Sequence, residues 1–188
     1  MIEVYAIADH PGPPLPEIGE LRVVPVGRLG AICAEVEERE LTRAALWRHE
    51  EIVEALMEGR DLLPVRYGTR LPDEGQVARA VAERHDALLQ ALRRVRGATE
   101  LALRVAAPPE APAPPEAARR VHDRLAAEAR ASTLLDTGDS ADLLRAAYLV
   151  ERGAGEAFTA EVAALQDANP QLRLLCTGPW PPYSFAEA

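Results

Sequence analysis

Proline residues are gathered into three clusters, and these clusters limit where regular structure can form. Twelve of the 16 prolines lie within Pro11–Pro16, Pro108–Pro115 and Pro179–Pro182. Proline lacks a backbone N–H donor and has a fixed φ angle, so each cluster interrupts helices and sheet ladders. The middle cluster lies in the sequence AAPPEAPAPPEAA, which is typical of a stiff, extended linker. We therefore expect it to join two halves of the chain.

The first half alternates short extended segments with amphipathic helices. IEVYAIA is suited to a buried strand, and LRVVPVG with AICAEV predicts a hairpin. One helix is predicted from about Thr42 to Met57, and a second begins near Asp73 and ends at Gly97. The apolar positions at helical spacing are Leu46, His49, Val53 and Leu56 in the first helix, and Val77, Val81, His85, Leu88, Leu92 and Val95 in the second.

The second half follows a recognisable order of elements. The strand ELALRVA precedes a helix that begins at about Pro115, and the strands STLLD and LLRAAYLV follow. A helix that holds Phe158 and Val162 then leads to the strand LRLLCT. This β-α-β-β-α-β order is the ferredoxin-like pattern, and the first half is similar to a rearranged version of it.

These patterns predict an α+β protein of two small ferredoxin-like-derived domains, each with helices packed on an antiparallel sheet. The expected N-terminal domain is residues 1–98. The expected C-terminal domain is residues 99–188, which includes the Pro-rich segment 107–115 and an aromatic tail at 177–185.

Composition excludes several classes of protein. Apolar residues make up 48% of the chain, which is typical of a globular protein rather than a disordered one. The net charge of -9 makes nucleic acid a poor partner. All 21 basic residues are arginines, so no lysine is present to form a phosphate-binding P-loop. We expect no membrane span and no signal peptide, because no long apolar run and no basic N-terminal region occur.

The two cysteines favour a reduced, cytoplasmic chain. Cys33 and Cys176 lie far apart in the sequence and cannot alone make a disulfide scaffold or a zinc site. Both fall on strands predicted to be buried, where a free cysteine behaves as a small apolar residue.

Asp136 lies in the motif that most resembles a catalytic one. Leu134-Leu135-Asp136-Thr137-Gly138 is similar to the aspartic protease motif, in which two copies bring carboxylates together to share a proton. Only one copy occurs here, between two strands, where Asp-Thr-Gly-Asp-Ser is ordinary turn chemistry. An aspartic protease is therefore the third and least favoured interpretation.

Metal-binding patterns are incomplete. His49-Glu50 begins a sequence like HExxH, but position 53 is Val, so the second ligand is missing. The acidic cluster Glu35, Glu37, Glu38 and Glu40 lacks the alternating ligands and sharp glycine turn of a calcium loop. We expect no metal, no cofactor and no catalytic constellation.

The C-terminal tail concentrates aromatic residues on a stiff backbone. Trp180, Tyr183 and Phe185 lie among closely spaced prolines, which reduce the entropy lost on ordering. The tail can anchor another protein, as aromatic hot spots do, or fold back and cover the second domain. The residues themselves leave both alternatives open.

Four stretches of the chain resemble the gas vesicle protein F/L family (GvpF/GvpL). The resemblance covers nearly the whole chain, and the last stretch is the most specific. The stretches are Val4-Tyr5-Ala6-Ile7; His49; Leu63-Pro64-Val65-Arg66-Tyr67-Gly68-Thr69 with Asp73-Glu74; and Ala147-Tyr148-Leu149-Val150 leading to Leu174 and to residues 177–185.

The resemblance implies a non-catalytic accessory protein of gas vesicle assembly, located in the cytoplasm and associated with the vesicle. Its implied partners are the hydrophobic vesicle shell protein and other gas vesicle accessory proteins. The residues expected to form an interaction or structural signature are Leu63, Pro64, Arg66, Tyr67, Gly68, Trp180, Pro181, Pro182, Tyr183 and Phe185. The alternative function is a ferredoxin-like ligand-binding or regulatory module.

The turn interpretation of Asp136 can be tested by Asp136→Asn. Asparagine retains a side-chain oxygen that accepts a hydrogen bond in a turn, so we expect only a small fall in melting temperature and unchanged function. Loss of a peptidase activity in the variant, with the circular dichroism spectrum unchanged, would contradict this interpretation.

Overall fold

The structure, a computed structural model, describes residues 1–37, 42–108, 113–138 and 141–187. It divides the chain into two compact units, Met1–Arg96 with Pro181–Ala188, and Gly97–Trp180. Each unit has helices and one antiparallel sheet, which confirms the predicted α+β class. Residues 181–188 belong to the first unit, whereas the expected boundary placed them in the second.

The first unit is built around β1, a strand whose residues are nearly all buried. The strands pair antiparallel in the order β2-β3-β1-β4, and β5 also pairs with β1. They are β1 (Ile2–Asp9), β2 (Arg22–Val26), β3 (Leu29–Glu35), β4 (Leu62–Pro64) and β5 (Arg70–Leu71), and the helices are α1 (Arg43–Gly59), α2 (Glu74–Glu83) and α3 (His85–Val95).

Side-chain caps begin helices α1 and α2 of this unit. The Thr42 hydroxyl accepts a hydrogen bond from the backbone N–H of Ala45 at the start of α1, and the Asp73 carboxylate accepts one from Gln76 at the start of α2. Such oxygens satisfy N–H groups that have no partner within the helix. The single helix predicted over 73–97 is instead two, because Arg84 leaves the helical conformation at φ -117° and ψ 15°.

The buried stripe of α1 differs from the predicted one at one position. His49, Val53 and Leu56 are buried as expected, but Leu46 is 39% exposed and Ile52 is buried in its place. His49, Ile52, Val53 and Leu56 follow the i, i+3, i+4, i+7 spacing of one helix face. The face that packs on the sheet therefore begins one turn later than the sequence pattern indicates.

The second unit has the predicted β-α-β-β-α-β order. Its antiparallel sheet has the strand order β7-β8-β6-β9, and the buried side chains of α4 and α5 pack on it around Tyr148 and Phe158. The elements are β6 (Ala98–Ala106), α4 (Pro115–Ala126), β7 (Ala131–Leu135), β8 (Asp142–Glu151), α5 (Gly155–Ala168) and β9 (Arg173–Trp180).

The middle proline cluster lies within the second unit, so the expectation that it links the two halves is wrong. It connects β6 to α4; Ala113 is buried in the core, and Pro115 occupies the first turn of α4. Residues 109–112 lie outside the described residues. The chain instead passes from one unit to the other at Gly97, whose φ of +71° suits glycine.

Asp136 lies in a turn, as the sequence predicts. Its Oδ1 accepts a hydrogen bond of 2.9 Å from the backbone N–H of Gly138, whose φ is +53°. Cys33 is buried on β3, whereas Cys176 on β9 is only half-buried. None of the helices in the described ranges is both long and apolar enough to cross a membrane.

Candidate functional site

A buried polar network joins β1 to α1. Glu3 and His49 are both buried, and Oε1 of Glu3 lies 2.9 Å from Nδ1 of His49. The other ring nitrogen, Nε2, lies 2.8 Å from the backbone carbonyl oxygen of Val65. A carbonyl oxygen and a carboxylate are both acceptors, so each ring nitrogen of His49 faces an acceptor within the protein. Both ring nitrogens of His49 are therefore engaged within the protein.

The second oxygen of Glu3 is also bound. Arg70, on β5, donates from Nε to Oε2 of Glu3 over 3.0 Å. Burial raises the pKa of Glu3. The hydrogen bonds and charges of His49 and Arg70 lower it by more than burial raises it, so the pKa lies below its ordinary value of 4.5. The carboxylate is thus ionised and paired, as a buried charge must be.

Two tyrosines lie against the His49 ring. The ring centroid of Tyr5 is 4.9 Å from that of His49, and the centroid of Tyr67 is 5.6 Å away in an edge-to-face arrangement. Burial and the charge of Glu3 raise the pKa of Tyr5 to about 12. A cavity of about 570 Å³ opens beside these groups, lined also by Thr42 and Arg48 among other residues.

The signature segment 63–69 connects β4 to β5 beside this network. Leu63 and Pro64 are buried, whereas the Arg66 side chain is exposed. The hydroxyl of Thr69 donates to the carbonyl oxygen of Arg66 over 2.8 Å, and Gly68 has a φ of +83°. The tight turn therefore needs glycine at position 68 and leaves Tyr67 against His49.

The tail is divided between the two units. Trp180 ends β9 in the second unit. Its carbonyl oxygen accepts a hydrogen bond of 3.0 Å from Thr99, and the residue is 41% exposed. At Gly178 the φ is +126°, and an added Cβ would lie 2.8 Å from the carbonyl oxygen of Glu100. Glycine is therefore required there by both backbone conformation and space.

The rest of the tail packs on the first unit. Pro181, Pro182 and Phe185 are buried, and Tyr183 packs against the core that includes Ile52 and Leu56. The sequence left open that the tail covers the second domain. Tyr183 and Phe185 instead cover the core of the first unit. The second unit ends at Trp180 and the first unit resumes at Pro181, so the chain changes units between these two adjacent residues.

Polar contacts hold the tail to the first unit. The Tyr183 hydroxyl donates to the Glu50 carboxylate, 3.1 Å from Oε2, and burial with the charge of Glu50 raises the pKa of Tyr183. Arg66 donates to Oε1 of Glu187 over 3.2 Å, and Arg94 donates to the carbonyl oxygen of Glu187 over 2.9 Å. The structure thus brings the 63–69 segment and residues 183–187 together, around a cavity of about 480 Å³.

The acidic cluster weighed against a calcium loop in the sequence lies only partly in the described ranges. Within residues 1–37, 42–108, 113–138 and 141–187, no three His, Cys, Asp or Glu side chains are grouped closely enough to hold a metal ion. Glu35 makes a 3.9 Å ion pair with Arg22. Glu38 and Glu40 lie outside the described residues.

Sequence reasoning identified His49 but missed Glu3 and Arg70. The bond to Val65 places His49 against the segment that follows α1. Glu3 carried a usable signal, because it is an acidic residue inside the apolar run IEVYAIA. A charge on a buried strand requires a partner, although the sequence does not say which residue provides it.

Comparison with known proteins gives consistent matches. The family described as "Gas vesicle synthesis protein GvpL/GvpF" matches residues 3–115 and 113–187. Gas vesicle protein F2 of Halobacterium salinarum is 30% identical over 166 residues, which span 85% of this chain and 76% of that protein. Gas vesicle protein F of Streptomyces sp. (strain CB03234) is 27% identical over 234 residues, with 98% of each chain covered.

Two solved structures have the same fold. The crystal structure of GvpF from Anabaena sp. PCC7120 aligns with a TM-score of 0.87, covering 100% of this chain and 96% of that one. GvpF from Microcystis aeruginosa aligns with a TM-score of 0.82, covering 100% and 99%. Sequence identities of 17% and 18% limit these two likenesses to the fold.

Substitution of Glu3 tests the buried network. Glu3→Gln leaves the Arg70 guanidinium without its carboxylate and weakens the acceptor that faces His49, so we expect the free energy of unfolding near neutral pH to fall by about 3 kcal/mol. The pKa of Glu3 is lowered in the folded protein, so its stabilisation is present above 4.5 and is lost as the pH falls through the folded value. The difference between variant and wild type should therefore shrink in acid.

The measurement is urea denaturation at several pH values, and Glu35→Gln is the matched control. The Glu35 side chain is largely exposed in its ion pair with Arg22, so its substitution should cost less than about 1 kcal/mol. Equal effects of the two substitutions would show that the network does not stabilise the fold. A Glu3→Gln effect independent of pH would show that the stabilisation does not come from the ionised carboxylate.

Substitution of Tyr183 tests the covering role of the tail. Tyr183→Ala removes a ring packed on the first core and the hydrogen bond to Glu50, so we expect about 3 kcal/mol of lost stability. Tyr183→Phe keeps the ring and loses only the hydrogen bond, which should cost about 1 kcal/mol. Thermal melts of both variants measure this, and a wild-type melt for Tyr183→Ala would refute the covering role.

Proposed function

Because the chain belongs to the GvpL/GvpF family of gas vesicle synthesis proteins, we propose that it is a non-catalytic assembly protein that binds the hydrophobic shell protein of the gas vesicle. The observation that carries the proposal is the family match, which runs from residue 3 to residue 187. The site of action in this proposal is the cytoplasm, at the growing vesicle.

The chemistry of the chain suits this role. A shell protein that builds a gas-filled wall must expose apolar surface before it polymerises, and such surface aggregates. A partner with a net charge of -9 remains dispersed by self-repulsion and can keep the bound shell protein dispersed as well. This role needs an apolar contact surface on an otherwise charged protein.

Helix α1 offers such a surface in the first unit. Trp47 is 66% exposed and Leu46, its neighbour, is 39% exposed, while His49 on the inner face is buried. Exposed aromatic side chains beside charged ones are characteristic of protein-binding hot spots. In the second unit Trp180 provides a smaller exposed aromatic surface. We therefore assign the main shell contact to Trp47 and Leu46.

The buried polar groups favour assembly over the ligand-binding alternative. A binding pocket needs polar atoms that are free to receive a ligand. Beside the larger cavity, both ring nitrogens of His49 and both carboxylate oxygens of Glu3 are already bound within the protein. The polar groups beside this cavity therefore bind one another and stabilise the fold rather than a ligand.

Co-expression with the shell protein tests the proposal. Wild-type protein carrying an affinity tag should retain the shell protein on the resin and increase its share in the soluble fraction. Trp47→Ala should weaken capture about tenfold or more, since it removes the larger and more exposed of the two proposed contact side chains. Its melting temperature should not change, because the ring is largely exposed.

Trp180→Ala is the matched control, with the same substitution at a less exposed tryptophan. We expect a smaller loss of capture for this variant. Failure of the wild type to retain the shell protein would refute the proposed function. Full capture by Trp47→Ala together with strong loss in Trp180→Ala would move the contact to the tail.

A further inference from the structure

The outer strands of the two sheets carry different degrees of protection against pairing with another chain. Natural edge strands are protected by proline, by charge, by irregular register or by short length. β2 contains Pro25, the three-residue β4 contains Pro64, and β9 contains Pro179 and has a register shift against β6. β5 has only two residues, one of which is Arg70.

β7 has none of these protections. Its five residues, ASTLL, include no proline and no charged side chain, and its register against β8 is regular from Ala131 to Leu135. It is the outer strand of its sheet, and in the described ranges no strand pairs with its other side. Leu134 on this strand is 48% exposed. An unprotected edge of this kind is a template for another strand.

We propose that β7 pairs antiparallel with β7 of a second copy of this chain, about a two-fold axis at Thr133. The strand is flanked by opposite charges at equal distances from Thr133: Arg130 lies three residues before it and Asp136 three residues after it. Antiparallel pairing about Thr133 places Arg130 opposite Asp136 of the second copy, twice. Parallel pairing would place like charges side by side, which is unfavourable.

Both charged groups can make the additional contact. The Arg130 guanidinium already donates to Glu151 from Nε over 3.0 Å and also from Nη2, but a guanidinium has five N–H donors. Asp136 uses Oδ1 to accept from Gly138. No hydrogen bond in the described part of the chain engages its Oδ2. The side chains that meet across the axis are otherwise small or apolar, namely those of ASTLL.

Self-association through β7 is independent of shell-protein binding, so the two proposals can fail separately. The contact involves one short strand from each copy, so the dimer should form in a concentration-dependent manner. In sedimentation equilibrium the mass of the wild-type protein should rise from that of the 20.4 kDa monomer toward twice that value.

Leu134→Lys is the decisive variant for the interface. It places a charge on the exposed edge, as natural edge strands do, and should abolish the dimer while leaving the melting temperature of the monomer unchanged. Leu175→Lys is the matched control, because Leu175 is 53% exposed on β9, the other outer strand of the same sheet. It should associate as the wild type does.

A cysteine cross-link tests the register. In the proposed pairing the two Thr133 residues face each other, so Thr133→Cys should give a disulfide-linked dimer with copper phenanthroline as the oxidant. Two Leu135 residues would lie about 13 Å apart along the strands, too far for a disulfide, so Leu135→Cys should not cross-link. The wild type controls for cross-linking through Cys176.

Three results would overturn the proposal. They are a wild type that stays monomeric across the concentration series, equal loss of association in Leu134→Lys and Leu175→Lys, and equal cross-linking at positions 133 and 135. A monomeric protein whose capture of shell protein is lost in Leu134→Lys would also overturn it, because β7 would then pair with the shell protein instead.

Discussion

The pairing of Glu3 with His49 and Arg70 is the interaction on which the first unit depends. Glu3 lies on β1, which pairs with β3, β4 and β5, so a charge at this position is enclosed by the sheet and α1. An unpaired carboxylate there would be costly, and the cost is offset only when α1 and β5 bring their donors to it. The bond from His49 to Val65 adds the segment after β4 to the same network.

Helix α1 makes different contacts on different faces. His49 faces inward to the buried network, Glu50 accepts the hydrogen bond from Tyr183 of the tail, and Trp47 faces solvent. The same helix therefore contacts both the tail, through Glu50, and the buried network, through His49. A contact with a partner through Trp47 would use the outer face of this helix without competing with either internal contact.

Most elements could be predicted from the sequence because their apolar spacing agrees with the positions of the glycine and proline residues that end them. β1, the β2–β3 hairpin, α1 and all six elements of the second unit lie close to their predicted positions. The split of the second predicted helix at Arg84 was missed, since the apolar spacing continues across the break. The candidate site was predicted only in part: His49 and the 63–69 segment were identified, whereas Arg70 was not, because nothing local marks it as a partner of Glu3.

The sequence alone determined the α+β class, the ferredoxin-like order of the second unit and the Asp-Thr-Gly turn at Asp136, because each follows from local periodicity or turn chemistry. Tertiary structure decided where the tail goes. Trp180, Tyr183 and Phe185 are close in sequence, yet the chain leaves the second unit after Trp180 and packs its last residues on the first. The middle prolines give a second example. Their stiffness could be predicted from the sequence, but the unit to which they belong could not, because that depends on contacts far away in the chain. Long-range pairing is set by which buried surface and which buried charge a segment can satisfy, and these exist only once the chain has folded.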